Sequence, residues 1–141
     1  MQGSLEEDFA ALRKLRDDEA SGALKEYFGD DEDPREWKGK DRWGHTTKAV
    51  TVEDDRVTEL TLNQCTKLTA LPAAIGELKA LKRLDLSRCS SLAALPESIG
   101  ELKALTEHTL YECSSLATLP DSIGKLGSLT KLNLNKCSSL T

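Results

Sequence analysis

The chain has 141 residues, of which 38% are hydrophobic, 30% charged and only 4% aromatic, with a net charge of −5 at pH 7. That is the size of one ordinary domain, with a core that leucine, isoleucine and alanine must fill. The acidic balance argues against a general nucleic-acid binder, and no apolar run approaches the ~18 residues a membrane span needs. Met1 leads almost directly into Leu5-Glu6-Glu7-Asp8, with no basic and apolar leader. The expectation is therefore a cytoplasmic (intracellular) protein with no nucleic-acid and no membrane partner. Charge is unevenly spread: residues 1–55 hold 16 acidic and 9 basic side chains, whereas 56–141 hold 8 and 10. Two segments of different character meet near residue 55.

The first segment, 1–55, reads as a helical N-terminal cap ending in a short strand. Ser4 with Glu7 three residues on forms a capping box, and Leu5, Phe9, Leu12 and Leu15 follow at helical spacing on one face. Ser21-Gly22 interrupts, and Ala23–Phe28 predicts a second short helix closed by Gly29. Asp30-Asp31-Glu32-Asp33 lacks the alternating ligands, central glycine and distal glutamate of a calcium loop, so it reads as a solvated charge run. Trp37 and Trp43 are expected to plug the end of the second segment, and Val50-Thr51-Val52 alternates like a strand.

The second segment, 56–141, repeats every 24 residues: units at 57–80, 81–104 and 105–128, and a partial one at 129–141. Each carries LxxLxLxxCxxLxxLPxxIGxLxx, a pattern that resembles the leucine-rich-repeat consensus. In Leu84-Asp85-Leu86 the alternation of period two turns both leucines to one face and Asp85 to the other. Pro96 has no N–H to donate and suits the turn away from the strand. Ile99, Leu102 and Leu105 return to the core through a 3-10-like stretch. One such coil cannot bury its leucines alone, whereas stacked coils can. Their strands must then lie parallel, about 4.8 Å apart. The fold class is α/β: a leucine-rich-repeat solenoid with short parallel strands on a concave face, an irregular or 3-10 convex side and the helical cap.

Cys65, Cys89, Cys113 and Cys137 recur once per unit. With no CxxC pair and ligands on separate coils, they do not form a zinc site. Equivalent Cβ atoms on stacked coils stay near the strand spacing, too far for a disulfide. They read as buried free thiols of a reducing compartment. No cofactor and no metal is expected.

The LxLxxCxxLxxLPxxIGxL unit closely resembles the repeats of plant intracellular immune receptors and the related Ras-group repeats. The repeat spacing and the tryptophan-bearing segment before Val52–Leu60 are also similar to leucine-rich-repeat proteins of brown algae and other protists. The resemblance is strongest over 57–141 and extends to 36–60. It implies a recognition module of the kind found in innate immunity, in families that often attach it to a nucleotide-binding or GTPase domain. None of these 141 residues forms such a domain, so that role is not carried over.

Strand residues pointing outwards form columns: Glu59, Arg83, Glu107 and Lys131; Gln64, Arg88, Glu112 and Lys136; and Asn63, Ser87, Tyr111 and Asn135. Alternating signs in the first two are expected to pair laterally. Tyr111 between Arg88 and Glu112 is the candidate hot spot. The candidate partner-binding set is Arg83, Asp85, Arg88, Glu107, Tyr111, Glu112, Lys131, Asn133 and Asn135. His108 stands where other units have leucine and is expected to be a hydrogen-bonded or partly exposed core histidine. No nucleophile–base pair, phosphate loop, GxSxG or HExxH is present, so the chain is not expected to be an enzyme. The reading is a non-catalytic protein-recognition module, the N-terminal part of a larger receptor or scaffold. The alternative is a self-assembly element that dimerises through its last repeat.

Overall fold

The computed structural model describes residues 4–41 and 43–140. Helices α1 (Leu5–Asp18) and α2 (Ala23–Phe28) open the chain. Ser4 Oγ accepts the Glu7 N–H at 3.2 Å, closing the predicted helix start. Strands β1 (Lys38–Lys40) and β2 (Thr46–Lys48) make an antiparallel hairpin. A five-stranded sheet follows in chain order: β3 (Val50–Glu53), β4 (Arg56–Thr61), β5 (Arg83–Asp85), β6 (Glu107–Thr109) and β7 (Lys131–Asn133). β3 runs antiparallel to β4, and β4 to β7 run parallel, with Glu59, Arg83, Glu107 and Lys131 side by side. Register locked to the repeat is what a stack of equal coils requires. Between strands the chain returns through 3-10 segments at Ala73–Glu77, Glu97–Glu101 and Asp121–Lys125, each preceded by proline at an extended ψ.

The repeated leucines form the core. Leu84, Leu86, Leu92, Ile99, Leu102 and Leu105 are all 0–1% exposed, and burying each contributes roughly 1.5–3 kcal/mol before chain entropy is counted. Gly76 and Gly100 of the first two Ile-Gly pairs set how closely the coils stack. A Cβ on Gly100 would lie 2.6 Å from Ser122 Cβ and 2.8 Å from its carbonyl oxygen, and one on Gly76 would meet Ser98 as closely. In the space so freed, the Ser98 and Ser122 hydroxyls donate to the Ala73 and Glu97 carbonyls of the preceding coil, at 2.8 and 2.7 Å.

All four cysteines are free and buried, and they do more than fill space. The Cys89, Cys113 and Cys137 thiols donate to the carbonyls of Leu62, Leu86 and Leu110, one coil back, at 3.1, 3.0 and 3.0 Å. Cys65 makes the corresponding, longer contact to Ala23 O in α2. Burial pushes the Cys65 thiol up to about 12 and that of Cys113 to about 11, and it raises Cys89 as well. These sulfurs are held in the thiol form, a donor rung between coils.

The N-terminal segment is joined to the first coil by contacts that occur once. Asp8, 1% exposed on α1, accepts two bonds from Arg56 (2.8 and 2.9 Å) and one from Val57 N (3.0 Å) on β4. Arg16, equally buried, donates to the Gly29 and Asp31 carbonyls and the Glu32 carboxylate, with its guanidinium 4.7 Å from the centre of the Trp37 ring. The acidic run 30–33 is thus a loop wrapped on one buried arginine. Trp37 is fully buried and stacks on Phe28 at 4.7 Å. Trp43 is not a plug: it is 72% exposed at the hairpin turn. The two tryptophans part because β1 carries the chain out of the core between them.

His108 corrects a second expectation. It lies in register between Leu84 and Leu132, is 1% exposed, and neither ring nitrogen has a hydrogen-bond partner. Burial alone lowers its pKa to about 4. An imidazole fills a leucine site and is neutral there.

Candidate recognition surface on the strand face

Alternation in three-residue strands decides which side chains reach solvent. In β5 Leu84 turns inward, so Arg83 and Asp85 turn outward. β6 and β7 repeat this with Glu107 and Thr109, then Lys131 and Asn133. The first predicted column forms as a ladder: Arg83 Nη1 meets Glu59 at 2.7 Å and its Nε meets Glu107 at 3.1 Å. Both carboxylates hold the exposed Arg83 guanidinium above its ordinary pKa. Exposed pairs of this sort add little to stability; they hold the arginine flat across three strands. Lys131 continues the column, exposed, beyond Glu107.

The second column sits on a bend. Gln64, Arg88, Glu112 and Lys136 all take positive φ, between 58° and 66°, a conformation unfavourable for residues with a side chain. Inter-coil hydrogen bonds offset it: Gln64 N donates to Ser87 O, Arg88 N to Tyr111 O and Glu112 N to Asn135 O, at 2.7–2.9 Å. The bend aims Arg88 at its neighbours. Arg88 Nε meets Glu112 at 3.0 Å and Lys136 approaches the same carboxylate at 3.9 Å. Tyr111 carries Arg88 5.1 Å and Lys136 5.7 Å from its ring centre. A half-buried aromatic clamped between two cations has little rotamer freedom left to lose on binding.

The third column differs from its expected form. Asn63 and Ser87 are buried, at 3% and 4% exposure, so only Tyr111 and Asn135 offer surface there. Asp85 and Asn133 also close the turn that follows their strands, because their side-chain oxygens accept the Ser87 and Asn135 N–H groups, each at 2.9 Å. Arg83 with Glu59 and Glu107 therefore forms one polar group, and Arg88 with Tyr111, Glu112 and Lys136 a second. The hairpin was not predicted, although Asp41 and Gly44 between Lys-Gly-Lys and Thr-Thr-Lys carry its turn signal. Among the described residues no group of three or more His, Cys, Asp or Glu is placed to hold a metal ion, and no helix is long and apolar enough to cross a membrane.

No protein-family model matches the chain, and no curated protein matches it. Solved structures do. A plant ice-binding protein matches 92% of the chain at 24% identity with a TM-score of 0.66, the chain spanning 40% of that protein; the two share a fold. The leucine-rich-repeat protein LIC12759 of Leptospira interrogans is 40% identical over 48% of the chain, with a TM-score of 0.46 and 17% of its own length covered. The PEPR1–AtPEP1 structure matches 95% of the chain at 21% identity and a TM-score of 0.34, with 27% of that protein covered. The chain spans less than half the length of each.

Proposed function

We propose that this chain is a non-catalytic recognition module that binds a partner protein through its strand face. The observation that carries the reading is Tyr111, held between Arg88 and Lys136 beside Glu112. Tyr and Arg dominate binding energy where they are pre-positioned at the middle of a contact. The fold supports it, since in-register coils present one continuous face to a partner. In its fuller form the proposal divides the chain near residue 55, makes the segment before it a cap for the first coil, and puts the module in a larger receptor or scaffold inside the cell. The four free thiols, suited to a reducing compartment, support that location. Affinity capture from the source organism tests the reading with three baits of equal stability: the natural chain, a strand-face variant (Arg88→Glu with Tyr111→Ala) and a 3-10-face variant (Glu97→Lys with Asp121→Lys). A partner kept by the first and third and lost by the second supports it. A partner lost only by the third overturns it.

Two further readings have their own observations. Leu132 is 38% exposed on β7, which among the described residues bonds to β6 alone, and this favours self-assembly through that strand. Light scattering across a concentration series decides it, since a strict monomer removes the reading. Thr66, Ser90, Ser114 and Ser138 form an exposed column of hydroxyls at strand spacing, and the fold is shared with an ice-binding protein. Freezing-point hysteresis that Ser90→Lys with Ser114→Lys abolishes would support ice binding; no hysteresis in the natural chain removes it.

A further inference from the structure

We propose that the crevice between the β1–β2 hairpin and the strand face docks an extended peptide segment of the partner, one that carries a carboxylate side chain next to an aromatic or large apolar one. The inference rests on the recognition reading above and names where the contact is made and what it selects. The crevice, about 640 Å³, is walled by Lys40, Trp43 and Lys48 of the hairpin and floored by Glu59, Arg83 and Asp85 of the strands.

The hairpin is built to hold Trp43 out. Asp41 Oδ1 accepts the N–H groups of both Trp43 and His45 at 2.9 Å, and Asp41 Oδ2 lies 3.2 Å from His45 Nδ1. Asp41 N donates to His45 O at 2.9 Å, and Gly44 N to Asp41 O at 3.0 Å, with Gly44 at φ +84°. One carboxylate thus closes the turn from inside. The hairpin is also seated on the first coil. The Tyr27 hydroxyl accepts from Lys40 N at 3.0 Å and donates to Asn63 O at 2.6 Å. Gly39 has no side chain where Thr61 Cγ2 would stand 2.8 Å from a Cβ. A large aromatic exposed on a turn fixed in this way keeps the ordering cost of binding low.

Charge selects the ligand. Every carboxylate that lines the crevice already has a donor on this chain. Glu59 and Glu107 share Arg83, Asp41 serves the turn, and Asp85 accepts from Ser87 N. The lysines differ: among the described residues neither Lys40 nor Lys48 pairs with a carboxylate. Lys48 also stands directly across the hairpin from Lys38, a like-charge pair that an incoming carboxylate relieves. The floor is acidic, with Glu59, Asp85 and Glu107 around one arginine, and the cations without a carboxylate partner, Lys40 and Lys48, lie on the wall beside Trp43. A peptide suits this better than a nucleic acid, because a run of phosphates lying in the crevice would face Glu59, Asp85 and Glu107, whereas a peptide places one carboxylate at the lysines and neutral backbone over the strands.

The test is selection from a random peptide library on the immobilised full chain, followed by titration of a selected peptide against variants whose melting temperatures match the natural chain. Peptides bearing Asp or Glu beside Trp, Tyr, Phe or Leu are expected. Trp43→Ala should weaken them roughly tenfold or more, and Lys40→Glu with Lys48→Glu should select Lys or Arg peptides instead. Selected peptides that survive all three substitutions and are lost on Tyr111→Ala overturn the crevice and leave recognition by the strand face standing. Tighter binding of single-stranded oligo(dT) than of any selected peptide also overturns it, as does a natural chain that retains no peptide; the three-bait capture then judges the broader reading separately.

Discussion

Residues 4–53 and 56–140 are held together in different ways. In the repeats the core contacts recur: leucine over leucine, thiol to the carbonyl one coil back, serine hydroxyl to the 3-10 carbonyl. The contacts that fix the N-terminal segment to the first coil are each made once, between residues far apart in the chain, such as Asp8 with Arg56 and Tyr27 with Asn63. Recurrent contacts spread stability over many small equal shares, so one lost rung is tolerable. Single contacts concentrate it, so one substitution reaches the whole segment.

The largest expected effect comes from removing one side of this contrast. Deleting residues 1–45 strips α1, α2 and most of the hairpin from the first coil, and the remainder should lose its cooperative thermal transition. A soluble 46–141 fragment that melts sharply would show that the repeats stand without the segment. Asp8→Ala should come next. It leaves Arg56 half-enclosed without its carboxylate and Val57 N without an acceptor, and should cost about 3 kcal/mol by urea denaturation. A cost below about 1 kcal/mol, no more than an exposed ion pair contributes, would break the claim that single contacts concentrate stability.

His108 is the irregular rung, and substituting it restores the repeat. His108→Leu should stabilise the protein by roughly 1–2 kcal/mol at neutral pH, because it ends the burial of two unbonded nitrogens and adds apolar packing. The gap should then widen in acid. The folded-state value of about 4 lies below the ordinary 6.5, so between them the unfolded chain binds a proton that the folded chain does not. Stability of the natural protein therefore falls as pH drops from about 6.5 through 4, by about 3 kcal/mol from this group, and the leucine variant lacks that loss. Urea midpoints at neutral pH and near the lower bound decide it. Parallel curves for the two proteins would contradict the buried neutral imidazole.

The smallest effects separate surface from core. Trp43→Ala should leave stability within about 0.5 kcal/mol of the natural chain, although Trp37→Ala should cost about 3–5 kcal/mol. Thiol labelling without denaturant should be fastest at Cys137, 9% exposed, and slowest at Cys89 and Cys113, both fully buried. Equal rates would show that the coils open together.

The same contrast explains what could be read from the chain beforehand. Leu84-Asp85-Leu86, Pro96 and Ile99-Gly100 announce strand, turn and return because each repeat states the pattern again. The Arg83 ladder follows from register alone. Ser4 with Glu7 announces α1 because a helix start is local. The Asp8–Arg56 lock spans 48 positions and leaves no periodic trace. The fates of Trp37 and Trp43 depend on a hairpin whose sole local signal is Asp41 with Gly44. His108 was visible as an exception, but its lack of partners depends on neighbours from two coils. Likewise nothing local marks the burial of Asn63 and Ser87, and at Gln64 and Arg88 residues with side chains take the left-handed conformation that sequence reasoning reserves for glycine.

Hydrogen exchange of the chain with and without its captured partner tests the central claim most directly. The account predicts slowed exchange at 83–88 and 107–112, with hairpin residues 40–48 protected alongside them and the 3-10 segments at 97–101 and 121–125 unchanged. Protection confined to those 3-10 segments, with the strand face exchanging as freely as in the unbound chain, would contradict it.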